Sequence, residues 1–362
     1  MNKNYFYRYH LYNEIPEIKQ YQAKENLSLM ELPYQINLDY EKNHEAIRLI
    51  NVNRYPNFNV DELKEKICQI NKISFDNNVL IGNGLLEVIQ TILLSFTTRE
   101  TTLIIPDPSF FMFTRLSKIC RLNICKIPLT NTLNLDIPAI IQATKKHLNP
   151  IVIIDNPNNP TGVLFEKNNL EKIIANCKCP IIIDEAYIAY SKKNSSCLNF
   201  ITAYDNVIIL RSFSKIGFAG LRLGYLISNR YLTSYINKFS LQYSLCDFKI
   251  KLALHILGRH GSILRYINEI KTLRDELTTK ISNLENIFVP NSQANFIFLS
   301  KKNDKSGENT KIEKLNTELI KLGIKINTFP KNLSKVTDNS IRFSIGNKET
   351  NDIVLNLIMK NI

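Results

Sequence analysis

Residues 211–222 read "RSFSKIGFAGLR" and bring Arg211, Ser212, Ser214, Lys215 and Arg222 together directly after the apolar run Val207–Leu210. Cations and hydroxyls beside small residues suit a bound anion, since charged donors hold it and glycine lets the backbone come close. Lys215 has a second use, because a lysine amine condenses with a carbonyl group. Taken alone, a lysine is more often solvated than reactive. The stretch by itself leaves a phosphate contact and a nucleophile both open. Two further polar clusters stand in the same relation to apolar runs: Asp155–Asn159 in "IVIIDNPNNPTG" and Asp184–Tyr187 in "CPIIIDEAY". An acid that follows such a run at a buried sheet edge needs a partner.

The elements that position these clusters follow from the pattern around them. "NNVLIGNG", "TTLIIPDPS", "IVIIDNPNNPTG", "CPIIIDEAY" and "NVIILRSFSK" each carry an apolar run that predicts a buried strand. Helical patterns lie between them, from about 85 to 96 and over roughly 166–177. Residues 59–70 open with Asn59 and Glu62 at capping-box spacing and place Val60, Leu63, Ile67 and Ile70 on one helix face. Such alternation predicts an α/β fold with a mostly parallel sheet covered by helices. Ligands of such sheets bind outside the carboxyl ends of the strands, where all three polar clusters fall.

Beyond about residue 228 come long helical patterns and then "ANFIFLS", "GIKINTF" and "SIRFSIG", which read as strands of a smaller α+β domain. The polar stretch 301–311 reads as a surface loop. The expected division is an N-terminal arm with part of the small domain (1–50), a large domain (51–245) and a C-terminal small domain (246–362).

Composition narrows the class. With 44% hydrophobic and 22% charged residues the 362-residue chain is an ordinary globular sequence. No apolar run approaches the roughly 20 residues that cross a bilayer, and the first residues lack a secretory core. The seven cysteines are scattered, which fits a reducing compartment, so the expected location is cytoplasmic. Cys177 and Cys179 lack the further ligands of a zinc site and read as plain thiols, with no metal expected. The net charge of +13 is spread along the chain rather than clustered, so it fits phosphorylated small molecules at least as well as nucleic acid.

"NPNNPTG" at 156–162, "DEAY" at 184–187 and "SFSKIGFAGLRLGY" at 212–225 resemble, in order and spacing, the signature of fold-type I pyridoxal-phosphate (PLP) transferases. Within that group the chain most resembles the histidinol-phosphate aminotransferases. "MELPY" at 30–34, "NRYPN" at 53–57, "GNGLLE" at 82–87, "PDPSF" at 106–110 and "IRFSIG" at 341–346 carry this, from about residue 26 to the C-terminus. The resemblance implies PLP as cofactor and exchange between a small-molecule amino donor and a 2-oxo acid. Histidinol phosphate with 2-oxoglutarate is the implied pair. A homodimer is also implied, with no nucleic-acid or membrane partner.

By the same resemblance Lys215 would attach PLP and move the substrate proton. Asp184 would pair with the pyridine nitrogen, while Tyr187 and Asn159 would reach its phenolic oxygen and Phe110 would stack on the ring. Gly84, Leu85, Leu86, Ser212, Ser214 and Arg222 would cup the phosphate, joined by Tyr55 from the partner subunit. Arg342 would grip the substrate carboxylate, with Tyr34 and Asn159 beside it. In three places the chain departs from the family pattern. Leu85 and Leu86 replace small polar residues, Asn327 stands where arginine is common, and Leu32 replaces asparagine. A threonine-phosphate decarboxylase or an aromatic or other amino-acid aminotransferase therefore remains an alternative.

Overall fold

The β-branched runs fold into strands whose successive side chains enter two different apolar layers. The computed structural model describes residues 23–34, 53–56, 60–74, 78–258, 260–301, 310–329, 334 and 336–361. In chain order the strands are β1 (Glu25–Asn26), β2 (Val79–Gly82), β3 (Thr101–Asp107), β4 (Asn123–Pro128), β5 (Asn149–Asp155), β6 (Ile181–Asp184) and β7 (Val207–Ser212). They continue as β8 (Gly224–Ile227), β9 (Ile287–Phe288), β10 (Phe296–Lys301), β11 (Ile324–Lys325), β12 (Asn327–Thr328) and β13 (Ser340–Ser344).

The large sheet has the order β2-β8-β7-β6-β5-β3-β4. Pairings from β7 through to β4 are parallel, whereas β8 runs antiparallel to both its neighbours. Val152, Ile154, Ile181, Ile183, Val207 and Ile209 join one core; Ile151, Ile153, Ile182, Ile208 and Leu210 join the other. This period of two shows that both faces are covered, which is why the strands read as unbroken apolar runs. Helices Asp61–Asn71, Ile137–Lys146 and Lys167–Asn176 cover the first face; Leu85–Ser95, Phe111–Ile119 and Arg230–Asn237 cover the second.

The helix Asp61–Asn71 forms as expected, with Val60 rather than Asn59 in the N-cap position. Its N-cap is Val60, whose side chain makes no cap hydrogen bond, and Asn59 lies outside the described residues. Asp61 and Glu62 instead place acids in the first turn, where the helix dipole favours them.

The C-terminal part builds an antiparallel sheet, β12-β13-β10-β9, backed by helices that include Lys348–Asn361. β1 pairs with β11, so residues 25–26 lie beside this second unit although they come from the start of the chain. Most of the expected arm (1–22 and 35–50) and of the expected loop (302–309) lies outside the described residues.

Candidate active site

The carboxyl ends of β5, β6 and β7 lie side by side, with Asp155 opposite Asp184 and Asp184 opposite Leu210. Asp155 is buried and holds the neighbouring loops. It accepts hydrogen bonds from Ser109 Oγ (3.0 Å), the Phe110 amide (3.1 Å), Asn158 Nδ2 (3.1 Å) and the Asn159 amide (2.8 Å). Burial pushes its carboxyl up to about 6, against the pull of these donors.

Asp184 and Glu185 are adjacent in sequence and differ in what satisfies them. The Glu185 carboxylate is closed off: Arg211 Nη2 (2.7 Å) and Nε (2.9 Å), Ser196 Oγ (2.9 Å) and the Cys197 amide (2.6 Å) all donate to it. Asp184 accepts from the Ala186 amide at 3.0 Å, and no salt bridge to it is seen among the described residues. Burial pushes Asp184 up to about 7, with the Ala186 hydrogen bond and the Lys215 charge opposing.

Lys215 lies in a single turn, Ser214–Ile216, that follows β7 and ends at Gly217 with φ 106°. Its Nζ donates to the Leu29 carbonyl at 2.9 Å and stands 5.9 Å from the Tyr187 ring centre. The Tyr190 hydroxyl donates to the Lys215 carbonyl at 2.6 Å and so fixes the backbone. Burial, then the nearby Arg342 charge, lowers the Lys215 amine to about 8. A fraction of it is therefore neutral, and nucleophilic, near neutral pH.

A second group forms where the helix Leu85–Ser95 begins. Gly84 has φ 92°, and a Cβ there would lie 3.0 Å from Arg222 Nη2. A Cβ on Gly224 would lie 2.5 Å from the Leu85 nitrogen, so β8 can pass the helix start only as glycine. Arg222 Nη1 reaches the Ser214 hydroxyl at 3.4 Å, and the Ser214 amide donates to Ser212 Oγ at 3.1 Å. A helix N-terminus, a guanidinium and two hydroxyls thus converge, as a phosphate requires. The Leu85 and Leu86 side chains pack on the apolar layer, which leaves their amides as the groups on offer.

A third group surrounds Arg342, which lies on the inner strand β13 and is buried. It donates from Nη1 to Asn159 Oδ1 and from Nη2 to the Ser28 carbonyl at 3.1 Å, over the Phe296 ring at 5.5 Å. Its Nε has no partner among the described residues. Burial lowers it to about 10, with nearby Tyr187 opposing. Asn159 Nδ2 donates to the Tyr187 hydroxyl at 3.3 Å, so Asn159 links the Tyr187 side of the cleft to Arg342.

The sequence profile of the family "Aminotransferase class I and II" matches residues 38–358. The chain belongs to that family. It is 34% identical over 311 residues to the histidinol-phosphate aminotransferase of Vesicomyosocius okutanii subsp. Calyptogena okutanii, covering 85% of this chain and 84% of that one. The crystal structure of the histidinol-phosphate aminotransferase from Clostridium acetobutylicum superposes with TM-score 0.81 at 25% identity, over 93% of this chain and 98% of that one. The Sinorhizobium meliloti histidinol-phosphate aminotransferase, solved in complex with pyridoxal-5'-phosphate, shares the fold at TM-score 0.81 and 16% identity, over 94% and 92% of the two chains. The fold-type I architecture and the family resemblance read from the sequence are both borne out.

Not every expected residue of this aminotransferase joins the three groups. Phe110 does reach the cleft's edge, half-buried, with its amide on Asp155 and its ring edge-to-face with Phe111 (5.4 Å) and Phe113 (5.5 Å). Tyr34 instead stacks on Tyr266 at 5.1 Å and donates its hydroxyl to Glu269, both on the helix His260–Ser282. Tyr55 is 78% exposed and lies against Tyr243, 4.5 Å between ring centres. Sequence reading did not assign roles to Asp155, Glu185 or Tyr190. Only the acids at strand ends carried any signal, and which donors they would meet depends on register and loop packing.

Among the described residues, no helix is long and apolar enough to cross a membrane.

Proposed function

We propose that this aminotransferase binds PLP on Lys215 and exchanges an amino group between histidinol phosphate and 2-oxoglutarate. The observation that carries the PLP reading is Lys215, a half-buried amine of lowered proton affinity, near Asp184, a buried carboxyl with no salt bridge among the described residues. The residues fit the group on structural grounds: the Gly84–Gly224 cradle excludes a Cβ, and the Arg342 Nε has no partner among the described residues. When bound, PLP supplies an aldehyde for amines and a pyridinium ring that accepts the electrons freed at a substrate Cα.

The chain's own residues then have defined tasks. The Lys215 amine takes the proton from the substrate Cα and returns it elsewhere, which an amine held near pKa 8 does well at neutral pH. Asp184 keeps a proton on the pyridine nitrogen, and its charge is stabilised once that proton is shared. Tyr187 and Asn159 hold the phenolic oxygen, and Phe110 covers the ring. The amides of Gly84, Leu85 and Leu86 with Ser212, Ser214 and Arg222 hold the phosphate, and Tyr55 of a second copy completes that cup in a homodimer. Arg342, fixed by Asn159, holds the substrate's anionic head. Glutamate presents a carboxylate there and histidinol phosphate a phosphate ester, and a guanidinium suits either. Tyr34, which the resemblance puts on the substrate, would have to leave its contacts with Tyr266 and Glu269 to reach it.

The choice of histidinol phosphate is supported by the relatives' names and by the chain's own motifs. It is tested by presenting the PLP-loaded protein with single donors and following the cofactor spectrum. Conversion by histidinol phosphate at least tenfold faster than by aromatic amino acids supports the assignment. Release of carbon dioxide from threonine phosphate with no amino transfer would replace it with a decarboxylase.

A further inference from the structure

We propose that Asn327 is a positioning residue that presents Arg342 to the substrate anion without neutralising it. This rests on the reading of Arg342 as the anion-binding group. Asn327 on β12 is the direct cross-strand partner of Arg342 on β13, so their side chains leave the same face of the sheet. In the amide orientation that satisfies both of its polar atoms, Asn327 accepts from Arg342 Nη2 at 3.1 Å and donates to the Ser28 carbonyl at 3.1 Å. The Ser28 carbonyl also accepts from Arg342 Nη2, at 3.1 Å, so the three groups close a triangle. On the other side Asn159 takes Nη1.

Every hydrogen-bond acceptor on this guanidinium among the described residues is neutral: two side-chain amides and a backbone carbonyl. Arg342 is thus held tightly while its full charge is left for an incoming anion. A carboxylate at position 327 has nearly the same shape as the amide but would act as a built-in competitor. A small side chain would leave the charge free and lose the orientation. The same amide also holds the Ser28 carbonyl, alongside the direct bond from Arg342.

The test uses PLP-loaded protein and succinate, an unreactive dicarboxylate, as the probe in calorimetry, alongside the glutamate half-reaction. Asn327→Asp is expected to weaken succinate about 100-fold, the effect of a unit charge a few ångströms from a partly screened cation. Asn327→Ala is expected to weaken it about 10-fold, with the glutamate dissociation constant raised and the maximal conversion rate within about 3-fold of wild type. Asn327→Ser, which keeps a hydrogen-bonding group, should lie between wild type and the alanine variant. If all three variants bind succinate as wild type does while Arg342→Ala loses it, Asn327 is merely structural and the inference is wrong. If Arg342→Ala itself binds succinate normally, the anion-binding reading of Arg342 is wrong and takes the inference with it.

Discussion

Lys215 and Asp184 depart from their ordinary proton affinities in opposite directions, and each departure has a measurable consequence. Lys215→Ala removes the amine, so turnover should fall on the order of 10⁴-fold while the fold persists; retained turnover would refute the role. In cofactor-free protein an amine-reactive label should modify Lys215 with a half-point near pH 8 rather than the ordinary 10.5. For Asp184 the folded value of about 7 lies above the ordinary 3.8. Between these the unfolded chain has lost a proton that the folded chain keeps, so stability falls as pH rises through this window, by at most about 1.4 kcal/mol per unit. Asp184→Asn should flatten that decline in urea titrations of the cofactor-free protein, leaving the part due to Asp155. An unchanged slope would mean that Asp184 is not held protonated.

The ends of the strands act as a unit because short connections lock them together. The Arg211–Glu185 pair bridges the ends of β6 and β7, with Arg211 Nη1 also on Asn71 Oδ1 at 2.9 Å in the helix Asp61–Asn71. Arg211→Met leaves the buried Glu185 carboxylate short of its cation and is expected to cost about 3–5 kcal/mol in urea denaturation. Gly224→Ala forces a Cβ onto the Leu85 backbone and should cost about 1–3 kcal/mol, while weakening PLP phosphate capture.

Much at this scale was legible in the sequence. β-branched runs ending in Asp155, Asp184 and Ser212 announce strands and their functional ends, since burial on both faces demands unbroken apolar character. The partner of each acid was not legible. Glu185 meets Arg211 only through the β6–β7 register, and β8 hid as an antiparallel strand inside a glycine-rich motif. Asn59 and Glu62 carried a capping-box signature, yet the helix begins one residue later, behind Val60.

At the scale of the whole molecule, residues distant in sequence close a single cleft. The Leu29 carbonyl meets Lys215, Ser28 meets Arg342, and Asn295 Nδ2 donates to the Met30 carbonyl at 3.0 Å, so the segment after β1 spans both sheets. Sequence periodicity does not report such contacts, because they join backbone carbonyls to side chains more than 180 residues away. If Tyr55 serves the neighbouring copy, Lys215→Ala and Tyr55→Ala variants, each impaired alone, should regain activity when mixed. One hybrid site then holds both intact residues; mixing without recovery would confine Tyr55 to its own subunit. Whether this protein transfers amino groups from histidinol phosphate and glutamate is decided by the half-reaction of PLP-loaded protein with each donor, followed by absorbance. Conversion of the cofactor to its amine form by both donors is the result predicted here. Absence of conversion by either donor, in protein shown to hold the cofactor on Lys215, would contradict it.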